Sequence, residues 1–472
     1  MKITKVDVKN WRILNEPKAA FGALCVVIIG ENGSGKSTLI ELILTVFDLV
    51  FKRLRGYNHP SWVDGFYLEY DINGHQVVFE SGYLEGSKPE ELHISIDGTA
   101  YSIKEDGGEL LRDLMPANII AYYAGDTQRV MSVCDFFLRE NVDAVRKSGN
   151  EFTLAPLMLP EVTPFIYSDI KHIGVALMSL IVTRQRSHTL DKLDIREEAT
   201  TAVVTLKKPH WAAKDSTSED LWGNTSTLFN DFISGLIENS FGRTTDENHI
   251  MIEINLMNLR DYLDSLNIGH KGVFLFQMFD LLNNNDLLKS VDVRWIRNGE
   301  EFNAPPISIE YFSEGEKQVI MTSALTEFWD KEHCLFLLDE PDTFLHPKWQ
   351  SRFLPEVQEN LRDSQAIITT HSSLMLSSVG NNCELFTMKE GKLMVIPFST
   401  YGMEAGEVIE TVMESVPRDI HVGNLLEDID DDLDNMNIKE AQQKLELLED
   451  TGVSRYEINR IQTTIEQLEK HN

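Results

Sequence analysis

The stretch Gly30-Glu-Asn-Gly-Ser-Gly-Lys-Ser-Thr38 constrains the fold more than any other, because it fits G-x-x-x-x-G-K-[ST] with Gly30, Gly35, Lys36 and Ser37 in the fixed places. Before it runs Leu24-Cys-Val-Val-Ile-Ile29, wholly apolar, as in a strand buried on both faces. After it, Thr38 to Phe47 holds no Gly or Pro and carries apolar residues at helical spacing. Strand, glycine loop and helix together make a phosphate site. The glycines let successive backbone N–H groups turn inward, and the helix N-terminus adds its positive dipole end. Gly30, Asn32, Gly33, Ser34, Gly35, Lys36, Ser37 and Thr38 are therefore expected to surround a nucleotide's phosphates, with Lys36 reaching the β- and γ-phosphates and Ser37 giving a hydroxyl to Mg²⁺. A glycine turn that binds nothing is the plain alternative, and the correct flanks weigh against it.

Ahead of the loop, Ile3 to Ile13 alternates like a half-buried strand. Beyond it, Phe66–Tyr70, Gln76–Phe79 and His93–Ile96 are short strand-like runs, with Asn73-Gly74 and Asp97-Gly98 as hairpin turns. They predict an antiparallel flank beside the glycine-loop sheet. Ile119–Ala124 returns as a core strand and leads into Gly125-Asp-Thr-Gln-Arg129.

A first strand ending in Asn10-Trp-Arg12, then Phe21-Gly22, then Gly30–Thr38, resembles the RecF/SMC/OLD-like branch of ABC-type ATPases. The resemblance implies ATP and Mg²⁺ as cofactors. It implies that Arg12 lies near the nucleotide, although a surface arginine at a strand end fits the sequence as well. It also implies a Q-loop in which Gln128 approaches Mg²⁺ and the attacking water; Asp126 and Gln128 as ordinary loop residues are the alternative.

The second half carries the complementary motifs. Tyr311-Phe-Ser-Glu-Gly-Glu-Lys-Gln318 resembles the ABC signature, with Ser313 and Gly315 in place, Glu314 where the first glycine usually stands, and Glu316 in the glutamine place. A serine hydroxyl and a glycine N–H opening the next helix suit a γ-phosphate. Alone, the same residues describe an ordinary helix N-cap. Cys334-Leu-Phe-Leu-Leu-Asp-Glu-Pro341 reads as a Walker B strand delivering Asp339 to Mg²⁺ and Glu340 as general base. Two acids ending a buried strand have little structural reason to be there without a cation. Pro341–Pro347 resembles the D-loop, which implies Asp342 near a dimer partner. Gln365-Ala-Ile-Ile-Thr-Thr-His371 reads as a core strand ending in a switch histidine that senses the γ-phosphate. A closing strand pair, 384–388 and 392–396, turns at Gly391.

Lys36 and Ser313 stand 313 − 36 = 277 positions apart, so a large region is inserted into one ATPase head. The expected fold is an α/β ABC-type P-loop ATPase head, a mixed sheet with an antiparallel β flank, a large mostly helical insertion and a C-terminal helical hairpin. The expected layout is residues 1–130 for the N-terminal part of the head and 131–290 for the insertion. Residues 291–400 form the C-terminal part of the head and 401–472 an acidic helical tail. Within the insertion, Ile170–Val182, Ser226–Phe241 and Phe274–Leu288 read as helices and Thr201–Leu206 as a strand. No heptad run supports a coiled-coil arm. In the tail, helices over 438–449 and 455–470 carry apolar residues at helical spacing, so the hairpin docks on the head, on a copy of itself or on a partner.

Composition bears on partners. A formal net charge of −32 repels nucleic acid, whose backbone affinity comes from Lys and Arg. DNA contact then needs a local basic patch or a partner that supplies it. No apolar run is long enough to span a bilayer, and Met1 to Val6 lacks a signal-peptide core, which points to a cytoplasmic protein. Cys25, Cys134, Cys334 and Cys383 are scattered and support neither a zinc site nor a disulfide framework.

The acidic tail after such a head resembles the ATPase subunits of bacterial anti-phage systems of the Septu type and their retron-associated relatives. That likeness implies an ATP-sandwich homodimer or a higher even oligomer, and a separate nuclease subunit of the HNH type through which nucleic acid is met. A RecF-like repair ATPase that binds DNA directly is the alternative. An OLD-type fused nuclease needs a further acidic domain for which the tail is too short.

Overall fold

The computed structural model describes residues 1–472 except 58–64, 84–90, 125–131, 134–163, 169–171, 184–186, 330–331, 362, 381, 416–418, 450 and 472. The described residues form two compact units, Met1–Gly402 and Met403–Asn472.

The first unit is built on the strand Cys25–Ile29, every residue of which is buried. It belongs to a seven-stranded sheet ordered Phe165–Ser168, Ile119–Tyr123, Leu335–Asp339, Gln365–Thr370, Cys25–Ile29, Cys383–Lys389, Lys392–Val395. The first six strands run parallel and the last is antiparallel. Parallel strands covered on both faces need continuous apolar runs, and Leu335–Leu338 and Ala366–Ile368 supply them.

Helix Lys36–Leu54 follows the glycine loop and is buried nearly all round. Its Leu39, Ile43 and Phe47 share one core with Val26 and Leu337 of the parallel sheet and with Val6, Tyr70 and Phe79 of a second sheet. That second sheet is antiparallel, ordered Lys18–Ala20, Lys2–Val8, Phe66–Ile72, His75–Ser81, His93–Ile96, Thr99–Tyr101. Asn73 and Asp97 stand at its hairpin turns with φ of 51°, the left-handed conformation that such turns require. The helix is thus clamped between the expected mixed sheet and the expected antiparallel flank.

The central stretch carries helices Ile173–Thr183, Thr227–Glu238 and Lys271–Asn284. It also carries more strand than its sequence suggests. Thr201–Lys207 lies in a five-stranded sheet with Gly242–Thr245, His249–Asn255, Leu288–Trp295 and Ile307–Ser308. The reason is legible in burial. His249–Asn255 buries only Ile250, Ile252 and Ile254, and the alternate residues, three polar ones and Met251, lie outside the core. Helix Ile173–Thr183 packs against Lys271–Asn284 and against Glu314–Phe328, the helix that opens at Ser313.

The second unit is more than a hairpin. The acidic run is itself helix Ile420–Asp434, packed on Ile438–Glu449, which packs on Arg455–His471. Ile429, Ala441, Leu445, Leu448, Ile461 and Ile465 are its core. Asp-rich sequence is poor helix former, and the stripe Val422, Leu425, Leu426, Ile429, Leu433 outweighs it. No described helix is long and apolar enough to cross a membrane.

Candidate nucleotide site

Strand order brings the motifs together. Leu335–Asp339, Gln365–Thr370 and Cys25–Ile29 are consecutive neighbours, with Asp339 beside Thr369 and Thr370 beside Ile29. Their C-terminal ends therefore set Asp339-Glu340, His371 and Gly30 along one edge, where α/β sheets place ligands.

The glycine loop is a tight turn. Gly33 and Gly35 have φ of 79° and 114°, open to glycine and strained for other residues. A Cβ on Gly30 would lie 2.3 Å from the Met388 carbonyl oxygen, so only glycine fits beneath the strand Cys383–Lys389. Asn32 and Gly33 are exposed at the loop tip, Ser34 and Lys36 are buried, and Ser37 is half-buried. Thr38 is buried in the first turn of the helix. The turn at Gly391 holds the loop from outside, its N–H donating to the Ser34 carbonyl at 2.9 Å.

Lys36 is 4% exposed, and its ammonium donates to the carbonyls of Gly30 at 2.9 Å and Glu31 at 3.1 Å. It lies 2.8 Å from His371 Nε2 and 3.8 Å from Glu340 Oε1. Burial lowers its pKa, against the pull of Glu340, Asp339 and Asp342. His371 Nε2 meets Glu340 Oε1 at 2.6 Å. That bond is the main reason Glu340 titrates below the ordinary glutamate range, with burial opposing it. Glu340 has φ of 50°, and its N–H donates to the carbonyl and hydroxyl of Thr369 at 3.1 and 3.0 Å. A non-glycine residue in this conformation is held by its surroundings, and such strain gathers at functional sites.

Asp339 is 1% exposed, and one of its oxygens accepts from the Thr369 hydroxyl. Burial raises its pKa, against the hydroxyls of Ser37 and Thr369. Its Oδ2 is buried with no well-aligned hydrogen-bond partner. A carboxylate oxygen so placed, beside the Ser37 hydroxyl, fits a divalent cation. Ser37 and Asp339 are the side chains here that would hold Mg²⁺.

Other expected residues lie differently. Gln128 falls outside the described residues. Arg12 sits in a small hairpin that packs on the glycine loop, since a Cβ on Gly35 would meet Leu14 at 3.1 Å and Ile13 at 3.5 Å. Its guanidinium pairs with the fully buried Glu41 of the following helix and covers the Trp11 ring at 4.5 Å. The arginine is therefore half-exposed and held beside the glycine loop by Glu41. Asp342 is 5% exposed and accepts from the Thr370 hydroxyl at 2.8 Å, so its carboxylate points into the protein. Burial pushes its pKa up to about 6, the Thr370 hydroxyl opposing.

Ser313 is exposed and caps helix Glu314–Phe328 in a reciprocal box with Glu316. Its hydroxyl lies 2.7 Å from the Glu316 carboxylate. Gly315 is required by a close approach, because a Cβ there would stand 2.4 Å from the Phe344 carbonyl oxygen. Gln318 donates to the Pro341 carbonyl at 3.1 Å. The signature helix is thus docked onto the loop that starts at Glu340.

The sequence singles out neither Thr369 nor Glu41, and offers Gly391 only as the turn of a strand pair. Thr369 was visible only as one of two threonines before His371. Glu41 was visible only as an acid on an apolar helix face.

Residues 1–99 match the family model described as "AAA ATPase domain". Residues 240–377 match the one described as "AAA domain, putative AbiEii toxin, Type IV TA system". A stretch of 84 residues is 29% identical to the Retron Ec83 probable ATPase of Escherichia coli, covering 18% of this chain and 15% of that protein. A stretch of 100 residues is 31% identical to the Retron Vc95 probable ATPase of Vibrio cholerae, covering 19% of this chain and 18% of that protein. The chain thus spans under a fifth of either retron protein. The DNA replication and repair protein RecF of Streptococcus thermophilus is 21% identical over 409 residues, 83% of this chain and 98% of that protein. The SMC head domain of Thermotoga maritima aligns with 84% of this chain and all of its own at 16% identity, with a TM-score of 0.35, too loose to argue from. The chain matches AAA ATPase family models in both halves and is similar to RecF proteins and to retron-associated ATPases.

Proposed function

We propose that this chain is a Mg²⁺-dependent ABC-type ATPase whose head dimerises on ATP and so controls a separate nuclease subunit in an anti-phage defence complex. The observation that carries the ATPase reading is the contact of Lys36, His371 and Glu340 at the edge of three adjacent strands. Lys36 and the loop amides hold phosphates, and Ser37 and Asp339 hold the cation. Bound Mg²⁺ neutralises phosphate charge. Glu340, kept ionised by His371, accepts the proton of the attacking water. When ATP enters, His371 is free to trade its bond with Lys36 for the γ-phosphate. Exposed Ser313 and the Gly315 N–H complete the site on a second copy. Glu340→Gln should lower turnover by roughly 10²–10⁴-fold and accumulate an ATP-bound dimer. Undiminished turnover would sink the assignment.

The defence role rests on the two retron relatives and is proposed for this chain from their short matches. A RecF-like role in direct DNA binding is the second reading, favoured by a match that runs the length of RecF. Purification of the tagged chain from its native host separates them. A stoichiometric nuclease supports the first. DNA binding by the isolated protein at physiological salt supports the second, against its charge of −32.

A further inference from the structure

Cys25 and Cys383 are the first residues of neighbouring parallel strands and stand directly opposite one another. Registered neighbours in a sheet lie about 4.8 Å apart and point to the same face, within the Cα separation a disulfide accepts. Cys25 is buried, whereas Cys383 is partly open. The Gln358 amide, on helix Pro347–Asn360, donates to the Cys383 sulfur.

We infer that Cys25 and Cys383 form an oxidation site, Cys383 being the thiol that meets a peroxide and Cys25 the thiol that resolves it. The roles follow from the surroundings. The Cys25 thiol and then the Gln358 amide pull the Cys383 pKa down, with burial opposing. The Cys25 pKa rises, chiefly through the same thiol contact and then through burial. A partly exposed cysteine, its sulfur held by two donors beside a buried second thiol, is the arrangement of redox-sensing cysteines. The Cys383 thiolate attacks one oxygen of hydrogen peroxide, giving its sulfenic acid and hydroxide. The Cys25 thiol then attacks that sulfur, the S–S bond closes, and hydroxide leaves with the Cys25 proton as water. Two thiols are oxidised and one peroxide becomes two waters.

The bond has a place in the site's architecture. The Cys25 strand runs into Gly30, and the Cys383 strand runs into the Gly391 turn that holds Ser34. Oxidation therefore staples two strands whose far ends meet on the glycine loop. Cys334 is buried just before the strand Leu335–Asp339 and should stay reduced.

The test treats the native full-length protein with a small excess of hydrogen peroxide, then alkylates, digests and weighs the peptides. A Cys25–Cys383 linked pair, lighter by two hydrogens and reversed by dithiothreitol, is expected. Cys383→Ser should abolish the link, and Cys25→Ser should carry Cys383 on to sulfinic acid while ATP binding persists. The inference is overturned if Cys383 in the unsubstituted chain stays alkylable, goes to sulfinic acid unlinked, or pairs with Cys134 or another chain.

Discussion

Gly315→Ala tests how helix Glu314–Phe328 is tied to the loop after Glu340. A Cβ at this position would lie 2.4 Å from the Phe344 carbonyl oxygen. Reaching even 3.0 Å requires 3.0 − 2.4 = 0.6 Å of movement, and a backbone oxygen cannot rotate away as a side chain can. Gln318, bonded to the Pro341 carbonyl one turn on, resists a simple tilt of the helix. Either Ser313 or the loop after Glu340 must shift. Overpacking of this kind costs about 1–3 kcal/mol, while alanine gains about 1 kcal/mol over glycine inside a helix. Net stability should therefore fall by about 0–2 kcal/mol. Turnover should fall further, because misplacing reacting groups by about 1 Å costs on the order of 10²-fold, or about 2.7 kcal/mol of barrier. The assay is steady-state phosphate release beside fluorescent-nucleotide binding and thermal unfolding. ATP binding should persist, since the glycine loop is untouched. Gly299→Ala is the control: its φ is 84° and no atom lies within 4 Å of the added carbon, so it strains the backbone without touching the site. Wild-type turnover in Gly315→Ala, or an equal loss in Gly299→Ala, would refute the reasoning.

Arg12→Ala leaves the fully buried Glu41 without its cation and should destabilise the first unit by about 2 kcal/mol, the low end for a pair whose arginine is half-exposed. Adding Glu41→Gln should recover most of the lost melting temperature, and a double variant no better than the single would contradict the pairing. Asp342 has a folded pKa raised to about 6, so the protonated form is favoured, and its contribution is full below the unfolded value and lost as pH rises through about 6. Asp342→Asn should therefore melt progressively higher than wild type between pH 5 and 7 in nucleotide-free protein, and a pH-independent gap would rule that out. In the second unit, Leu448→Ala should remove about 2–5 kcal/mol from a small core, read by circular dichroism of full-length protein as loss of helix at 222 nm on heating well before the first unit melts. A single unshifted transition would show that this core is not what holds the three helices.

Much of the site was legible because its chemistry uses residues that announce themselves. Gly30–Thr38 has two glycines at positive φ, strained for any other residue, and a buried lysine with no apolar reason to be there. Asp339-Glu340 ends an apolar strand with two acids, and His371 follows another such strand. The hidden elements follow ordinary surface alternation. His249–Asn255 shows only every second residue to the core, and the acidic helix Ile420–Asp434 is polar on most of its circumference.

The sequence by itself determined the local units, because buried strands, glycine turns and amphipathic helices are written in runs of a few residues. It did not determine who lies beside whom. Lys36 and His371 are 335 positions apart and touch only because Gln365–Thr370 chooses Cys25–Ile29 as its neighbour. That choice depends on matching whole apolar faces, a property of the packed core and not of any segment. The same packing turned Asp342 inward, gave Arg12 to Glu41 and set Cys25 against Cys383. Each of these depends on a partner far along the chain, which only the tertiary structure supplies.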